Sequence, residues 1–328
     1  MDGRARAPQD DIAGSASPMD ASVIICTYNR SASLRKTLRS VVSMAIPEGV
    51  RWEIIVVDNN STDDTKRAVE EFSGRPAVAL RYELEREQGK SFALNRGIAV
   101  ARGEILGFTD DDVTVDRGWL RAILQAFQEE GVACVGGKIL LDWEAPRPSW
   151  LGNLLVDQLG YLDLGDKKIR LAAPKVYGAN LAVRRVVAQR HGGFDTQAGP
   201  VAGKMYSGED TFFIEKLIRL NEPTIYSPDA VVHHHVPVEH MTKRYFLRRM
   251  FDQGESIGIQ MGDYEKRNLI GIPYYMYKEL FLKMCHVVGS GLSEPSRSFV
   301  KKIDLARTLG MMYGRLRFER RVRNASVS

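Results

Sequence analysis

The sequence predicts an α/β protein of three layers, with a mostly parallel sheet between helices and a helical C-terminal extension. Between about residues 21 and 240, apolar segments of strand length alternate with segments whose apolar residues recur at helical spacing. The strand segments are almost continuously apolar, which is typical of parallel strands covered on both faces. Polar and acidic residues follow several strands directly, where α/β proteins bind their ligands.

Three regions are predicted along the 328 residues. Residues 1–20 are polar and are expected to be a disordered tail, residues 21–240 form the α/β domain, and residues 241–328 form a basic, helical extension. From Met241 onward, 17 Lys and Arg face 8 Asp and Glu, a net charge of +9 within a total of +5. This excess indicates either a solvated basic face or peripheral contact with an anionic membrane surface.

Composition excludes several classes of protein. No run of 18 apolar residues and no N-terminal apolar signal segment occurs, so we expect a cytoplasmic protein, with peripheral attachment to the cytoplasmic membrane face as a variant. The three cysteines match no metal-binding spacing. No aromatic stacking motif or zinc finger accompanies the basic charge, so nucleic acid is not an expected partner.

An acidic triplet ends one of the predicted strands. Asp110, Asp111 and Asp112 follow the apolar segment Glu104–Phe108. Adjacent carboxylates repel one another unless a cation or strong donors hold them, and their hard oxygens suit Mg²⁺ or Mn²⁺ bridged to substrate phosphates. The hypothesis is a metal site facing a phosphorylated ligand, and the alternative is a solvated acidic turn.

Polar side chains also follow the first two strands. No G-x-G-x-x-G sequence and no P-loop is present, which argues against a dinucleotide-binding Rossmann domain and a P-loop enzyme. The side chains that stand there instead suit a base and a ribose. They are Thr27, Tyr28, Asn29 and Arg30 after the first strand, and Asp58 and Asn60 after the second. For Asp58 a turn or capping role is the alternative.

Two further groups carry candidate chemistry. Glu209 and Asp210 lie in the first turn of a predicted helix, where they act either as N-terminal caps or as a general base. The run His233–His235 ends an extended segment, and because strand residues alternate faces, at most one or two of these imidazoles can address the same metal ion.

Two aromatic segments have open roles. Residues 142–176 form an irregular insertion in which Trp143 and Trp150 either line a substrate cleft or pack on the surface. The segment from Tyr274 to Met284 is aromatic, apolar and partly cationic, and it is either an interfacial amphipathic helix or an ordinary packed one.

Taken in order, six motifs resemble those of the family 2 inverting glycosyltransferases of bacterial type. The resemblance spans Ser22 to His235, about two thirds of the chain. Its motifs are Val23–Arg30, Ile54–Asp63, the D-x-D-like Gly103–Asp112, the acceptor-side turns Gly178–Arg184 and Gly193–Asp195, and the E-D-like Gly208–Asp210.

The resemblance implies a GT-A fold, a nucleotide-diphospho-sugar donor (a UDP-sugar is favoured), and Mn²⁺ or Mg²⁺ as cofactor. The sugar would pass with inversion to a glycan, lipid-linked or small-molecule acceptor, in surface polysaccharide or glycoconjugate synthesis. Asp58 would hold the uracil or ribose, Asp210 would be the base beside Glu209, and Asp110, Asp112 and His234 would surround the metal, with Asp111 as an alternative ligand to Asp112.

One departure from the family pattern concerns the helix before the acidic triplet. Leu94 stands where many members have an arginine before the asparagine, here Asn95, so a donor-phosphate or packing contact would be supplied differently, with Lys90 as the candidate. Lys90 and Asn95 are both expected to bind the donor. On the acceptor side the expected residues are Trp143, Trp150, Gly178 and Asn180. A catalytically inactive scaffold of the same fold and a sugar-phosphate nucleotidyltransferase are the alternative functions.

Overall fold

A computed structural model describes residues 19–74, 78–196, 208–261, 268–289 and 295–325. The predicted tail lies outside the described residues except for its last two, Met19 and Asp20, which belong to the first strand instead. Ser22 and Ala21 continue this strand as fully buried residues, so the domain begins before the apolar run that marks it in the sequence.

Eleven strands and ten α-helices are present in the described part of the chain. The strands are β1 (Met19–Thr27), β2 (Trp52–Asp58), β3 (Ala79–Leu84), β4 (Gly103–Asp110), β5 (Val113–Val115), β6 (Cys134–Trp143), β7 (Ile169–Arg170), β8 (Leu181–Arg184), β9 (Thr224–Val236), β10 (Asn268–Leu269) and β11 (Ile272–Pro273). The helices are α1 (Ser31–Val42), α2 (Thr65–Glu70), α3 (Lys90–Val100), α4 (Trp119–Ala126), α5 (Asn153–Val156), α6 (Arg185–Arg190), α7 (Glu209–Arg219), α8 (Lys243–Gln260), α9 (Tyr274–Val288) and α10 (Pro295–Ala325).

The central sheet has nine strands in the order β3-β2-β1-β4-β8-β6-β9-β5, with β7 added beside β9. Strands β3, β2, β1 and β4 are parallel neighbours, as are β6 and β9, whereas β8, β5 and β7 pair antiparallel. The parallel half of the sheet therefore corresponds to the βαβ units predicted from the sequence. The predicted α/β class with a mixed, mostly parallel sheet and C-terminal helices is confirmed.

Both faces of the sheet are covered, because successive strand residues point to opposite sides. In β1, Val23 and Ile25 join the core under α1, α2 and α4, while Ile24 joins the core under α3, α6 and α7. These three side chains are fully buried. Alternation within one apolar strand thus produces the three layers.

A bulge in the second half of the sheet is filled by an asparagine. The pairing of β6 with β9 shifts between Gly137 and Lys138, where β9 carries three extra residues. The Asn180 amide nitrogen donates to the carbonyls of Lys138 (2.8 Å) and Ala230 (2.7 Å), and its oxygen accepts from Trp119 Nε1 (2.8 Å). Any side chain at Gly137 would overlap this amide. Beyond the bulge, β9 pairs with β6 along one edge and with β5 along the other.

The C-terminal helices form a layer against the irregular insertion. Phe246 of α8 and Phe299 of α10 stack edge-on against Trp150. Helices α8 and α10 cross at backbone contact: side chains at Gly254 and Gly258 would overlap the backbone of α10, and side chains at Gly310 and Gly314 the backbone of α8. Within the described ranges, no helix is both long and apolar enough to span a bilayer.

We predict that Gly310→Ala lowers the free energy of unfolding by about 2 kcal/mol, because the new methyl group meets the Phe251 carbonyl and the helices must separate. Urea unfolding measures the change. The control is Gly118→Ala, whose methyl group meets only the end of the Arg121 side chain. Equal stability of the two variants would contradict the backbone-contact packing.

Candidate active site

The acidic triplet lies where β4 ends and turns back into β5. Asp110 is the last residue of β4, and Asp111 and Asp112 form the turn. Strand β5 pairs antiparallel with β9, with Val113 opposite His234, and the Asp112 carbonyl accepts from the backbone nitrogen of His235 (2.9 Å). This pairing brings the triplet and the histidines together, although over 120 residues separate them in the sequence.

Asp111 is the buried member of the triplet. Thr27 Oγ1 donates to its Oδ2 (2.7 Å), and Arg30 Nη1 lies 3.2 Å from its Oδ1. Burial raises the pKa of Asp111 to about 6, and the charges of Asp112 and Asp110 add to that rise, while Arg30 and Thr27 oppose it. Asp111 therefore fixes the turn through its buried contacts. Thr27, which was predicted to contact the sugar-nucleotide donor, positions the Asp111 carboxylate.

Arg30 spans the outer side of the turn. Its Nη1 also donates to Asp112 Oδ2 (2.8 Å), and its side chain is about half exposed (49%). The charges of Asp111 and then Asp112 raise the pKa of Arg30 above its ordinary value. A fixed guanidinium with one side open to solvent is suited to bind phosphate oxygens.

Asp112 faces His234. Nε2 of the imidazole is 3.3 Å from Asp112 Oδ1, while Nδ1 is 2.7 Å from the carbonyl of Leu159. Since a carbonyl only accepts, Nδ1 carries a proton and Nε2 is the atom presented to the site. Burial alone would raise the pKa of Asp112, but His234, Arg30 and Lys90 together lower it. Of the three adjacent histidines, His233 pairs with Asp116 and His235 with Asp142.

Lys90, the first residue of α3, connects the triplet to the second acidic group. Its Nζ lies 2.6 Å from Asp110 Oδ1 and 3.4 Å from Glu209 Oε1. Burial alone would lower the pKa of Lys90, but Asp110 and Glu209 raise it well above the ordinary value. The ammonium group is thus held between carboxylates of β4 and α7.

Glu209 and Asp210 open α7 after Gly208, whose φ of 119° is one that side chains rarely adopt. Asp210 accepts backbone hydrogen bonds at both oxygens, from Gly178 (2.7 Å) and Thr211 (2.7 Å). Glu209 is 3% exposed, and burial raises its pKa to about 7, with Asp210 adding to the rise and Lys90 opposing it. Gly178, predicted on the acceptor side, therefore orients the candidate base.

The candidate metal-ligand atoms of this site match a divalent cation in part. Asp112 Oδ1 is buried and accepts no hydrogen bond within the described part of the chain, while His234 Nε2 points toward it. In the same residues, no group of three or more acidic, Cys or His side chains is assembled as a metal site. Asp110, predicted as a third ligand, is engaged by Lys90 instead. Asp112 and His234 remain, and a bound diphosphate can supply further oxygens.

The predicted nucleoside side is a pair of linked loops. Asp58 is 2% exposed and accepts from the Ser61 backbone (2.8 Å) and from Tyr82 Oη (2.7 Å). Asn29, at φ 52°, accepts from the backbone nitrogen of Thr62 (2.7 Å) and so joins the loop after β1 to the loop after β2. Tyr28 and Asn60 are exposed beside these contacts. Asp58 is thus the buried residue of this group, and Tyr28, Asn29 and Asn60 are exposed.

The loop before Lys90 is held in the same way. Asn59 donates to the carbonyls of Glu85 and Glu87 and accepts from the backbone nitrogen of Gly89 (2.8 Å). This residue was not predicted as part of the site, although it lies between two that were. Its side chain sets where α3 begins, and therefore where the Lys90 ammonium group lies.

Four of the predicted site residues make contacts within the protein. Asn95 exchanges two hydrogen bonds with the Phe194 backbone (2.8 and 2.9 Å), and Asn180 fills the sheet bulge at 1% exposure. Trp150 packs on α8 and α10, and Trp143 belongs to the same apolar cluster, where Arg147 lies over its ring. Their polar atoms or rings therefore have partners within the protein, and their donor and acceptor contacts stay predictions.

Sequence reasoning missed a basic group contributed by the C-terminal helices. The ring of Tyr245 stacks on His240 (4.1 Å), and Arg249 donates to Tyr245 Oη (3.1 Å). Burial lowers the pKa of His240 to about 4, with Asp112 opposing and Arg249 adding to the fall. Arg249 also acts on the pKa of Tyr177, as Asp210 does. Helix α8 therefore contributes a guanidinium that contacts Tyr245, whose ring stacks on His240.

The fold is that of the GT-A glycosyltransferases. Among solved structures, a mannosyltransferase from Pyrobaculum calidifontis in complex with GDP-mannose and Mn²⁺ is similar to the chain with a TM-score of 0.55 and 22% identity, over 95% of this chain and 90% of the other. The sequence model of Glycosyl transferase family 2 matches residues 22–192, and the chain belongs to that family.

Characterised relatives align over about three quarters of the chain. The glucosyl-dolichyl phosphate glucuronosyltransferase of Haloferax volcanii is 26% identical over 243 residues, covering 73% of this chain and 76% of its own. The succinoglycan biosynthesis protein ExoM of Rhizobium meliloti is 29% identical over 236 residues, covering 71% and 72%. The predicted class of enzyme, a glycosyltransferase, is confirmed.

We predict that Glu209→Gln changes how stability depends on pH. The ordinary pKa is 4.5 and the folded value about 7, so between these values the folded chain holds a proton that the unfolded chain has released. Stability of the wild type is therefore lost as pH rises through this window, by at most about 1.4 kcal/mol per pH unit. Glutamine cannot titrate, so the variant gains stability relative to wild type between pH 5 and 7.

Urea unfolding of the metal-free protein at several pH values measures this difference. Glu215→Gln, an exposed substitution on the same helix, is the matched control and should follow the wild type. If the Glu209 and Glu215 variants show the same pH dependence, Glu209 does not hold a proton near neutrality.

Proposed function

We propose that this glycosyltransferase moves a sugar from a nucleotide-diphosphate donor, with a UDP-sugar favoured, to an acceptor hydroxyl with inversion of the anomeric centre. The observation that carries this proposal is the Lys90 bridge from Asp110 (2.6 Å) to Glu209 (3.4 Å). Through this single side chain, the triplet Asp110–Asp112, which suits a diphosphate, is connected to the acidic pair Glu209 and Asp210, which suits an acceptor. A single displacement needs these two sites on opposite sides of one carbon atom.

On the donor side, the bond from the sugar to the diphosphate breaks and negative charge develops on the leaving group. Arg30, held by Asp111 and Asp112, lies where it can bind the phosphates, and Arg249 adds positive charge from α8. A divalent cation, Mn²⁺ or Mg²⁺, held by Asp112 and His234 would offset the remaining charge as a Lewis acid. Tyr28 and Asn60 offer accessible side chains for the base and ribose, beside the buried Asp58.

On the acceptor side, Asp210 accepts the proton of the attacking hydroxyl. Backbone hydrogen bonds from Gly178 and Thr211 fix the orientation of its carboxylate. A base held within reach of the hydroxyl is worth about 10²–10⁴-fold in rate. Glu209 lies behind it, buried against Lys90, and keeps the ammonium group in place.

The acceptor is proposed to be a lipid-linked glycan, with a free glycan or a small molecule as the other acceptor classes. A relative that uses a glucosyl-dolichyl phosphate and one that acts in succinoglycan synthesis support this choice. The enzyme would then work at the cytoplasmic face of a membrane, in peripheral contact through its C-terminal region, whose net charge is +9.

We predict that Asp210→Asn lowers turnover at least about a hundredfold with little change in the donor KM, because asparagine cannot accept the proton while the donor site is unaltered. Donor hydrolysis, with water as acceptor, measures both constants without knowledge of the natural acceptor. Glu104→Gln, at the other end of β4, is the control. Near-normal turnover of the Asp210 variant would remove it from the role of base.

We predict that a nucleoside diphosphate raises the thermal unfolding temperature only when Mn²⁺ or Mg²⁺ is present, since ligands that bind the folded state stabilise it by mass action. UDP, GDP, CDP and dTDP are compared with and without metal, and chelation by EDTA should abolish donor hydrolysis until metal is restored. Asp112→Asn should lose the metal-dependent shift, whereas Asp142→Asn should keep it.

The outcomes separate the alternatives. A full shift and full activity in EDTA would exclude the metal. No shift with any diphosphate would support a catalytically inactive scaffold. Transfer of the nucleotidyl group of a nucleoside triphosphate to a sugar phosphate, with release of pyrophosphate, would support a nucleotidyltransferase.

A further inference from the structure

Helix α9 exposes an apolar surface that no described residue covers. Its inner side packs on α10 through Met276, which is fully buried. The other side exposes large apolar side chains, which together we name the α9 outer surface. They are Tyr274 (53%), Phe281 (67%), Leu282 (46%), Met284 (52%) and Val288 (84%).

The width of this surface indicates what kind of partner it fits. At about 100° per residue, these side chains spread over roughly half of the helix circumference and about 20 Å of its length. A partner helix in a coiled coil needs only a narrow seam of two positions per heptad. A half-cylinder of apolar side chains instead matches a helix that lies in the plane of a lipid interface.

The charges of α9 agree with an anionic interface. Lys278 lies within the exposed arc, and its long side chain can extend toward lipid headgroups while its methylene groups stay apolar. Glu279 is the acidic residue of the helix. Tyrosines lie at the N-terminal end, where one edge of each ring can stay hydrated, and Phe281, Met284 and Val288 occupy the C-terminal half.

The α9 outer surface belongs to the same layer of helices that packs on the irregular insertion beside the candidate active site. Lys283 contacts Asp304 (3.0 Å) and Thr308 (2.8 Å), and Met276 packs with Met312, so α9 and α10 run antiparallel. The more exposed end of α9 therefore points toward the start of α10, where Phe299 packs on Trp150. That cluster also contains Leu159, whose carbonyl holds His234.

We propose that the α9 outer surface docks this enzyme on an anionic phospholipid bilayer, with the C-terminal half of α9 inserted at the boundary of headgroups and acyl chains. This deepens the proposed function and rests on it only for the reason to dock, which is access to a lipid-linked acceptor. Apolar burial supplies the affinity, and Lys278 together with the net charge of +9 from Met241 onward supplies the preference for negative lipids.

The test is co-sedimentation of the full chain with vesicles. Vesicles of phosphatidylcholine containing one third phosphatidylglycerol are compared with pure phosphatidylcholine, at low salt and at about 0.5 M NaCl, where charges are screened within a few ångströms. We expect binding to the anionic vesicles, weakened but not abolished by salt. The double variant Phe281→Ser/Val288→Ser should bind at least about tenfold more weakly at both salt concentrations.

A matched control removes two exposed apolar side chains elsewhere. Val186→Ser/Leu220→Ser, at sites on α6 and after α7 that are 53% and 49% exposed, should bind vesicles like the wild type. Both double variants should keep the wild-type rate of donor hydrolysis in solution, which needs no membrane. If the wild type hydrolyses no donor, the proposed function is contradicted. If it hydrolyses the donor but does not bind vesicles, only the proposed docking surface is contradicted.

Three results would overturn the proposal. Wild-type protein that binds neither vesicle excludes lipid docking. Binding that salt abolishes, and that the Phe281/Val288 variant retains, reduces it to a general basic attraction. Size-exclusion elution as a dimer that this variant converts to a monomer, without vesicle binding, assigns the surface to a second copy of the chain.

Discussion

Five carboxylates lie at one end of the sheet, and their mutual repulsion is the constraint that the site is built around. Asp110–Asp112, Glu209 and Asp210 could not ionise together in a partly buried cleft without compensating charge. Lys90 lies between the two groups, Arg30 covers the outer side of the triplet, and His234 faces Asp112. Lys90, Arg30 and His234 come from different parts of the chain. These parts must therefore pack together before the negative charges of the site are compensated.

The sequence predicted the framework well because its signals are local. Apolar strands and the carboxylates that follow them can be read within ten residues, and parallel strands necessarily place those ends together. Local signals could not show which of Asp111 and Asp112, or which of the three histidines, faces the candidate metal site. This depends on β5 pairing with β9, which buries Asp111 and turns His234 alone toward Asp112.

The structural contacts of Asn95 and Asn180 could not be read from the sequence. Both residues were predicted to bind ligands because of their positions in the sequence pattern that resembles the glycosyltransferase family. Their partners are backbone groups and a tryptophan more than 40 residues away in the sequence, which no local pattern reveals. Arg249 was missed for the converse reason: in the sequence it is one basic residue of a basic helix, and only the packing of α8 on the insertion brings it near the acidic groups.

The backbone crossing of α8 and α10 restricts how this enzyme can change over evolutionary time. Side-chain volume can adjust the distance between most packed helices, but the glycine contacts leave no volume to adjust. A residue inserted or deleted within either helix would rotate its remainder by about 100° and move every later glycine off the crossing. Changes of chain length in the C-terminal layer are therefore confined to the connections between helices, while α9, which takes no part in the crossing, remains free to vary its outer residues.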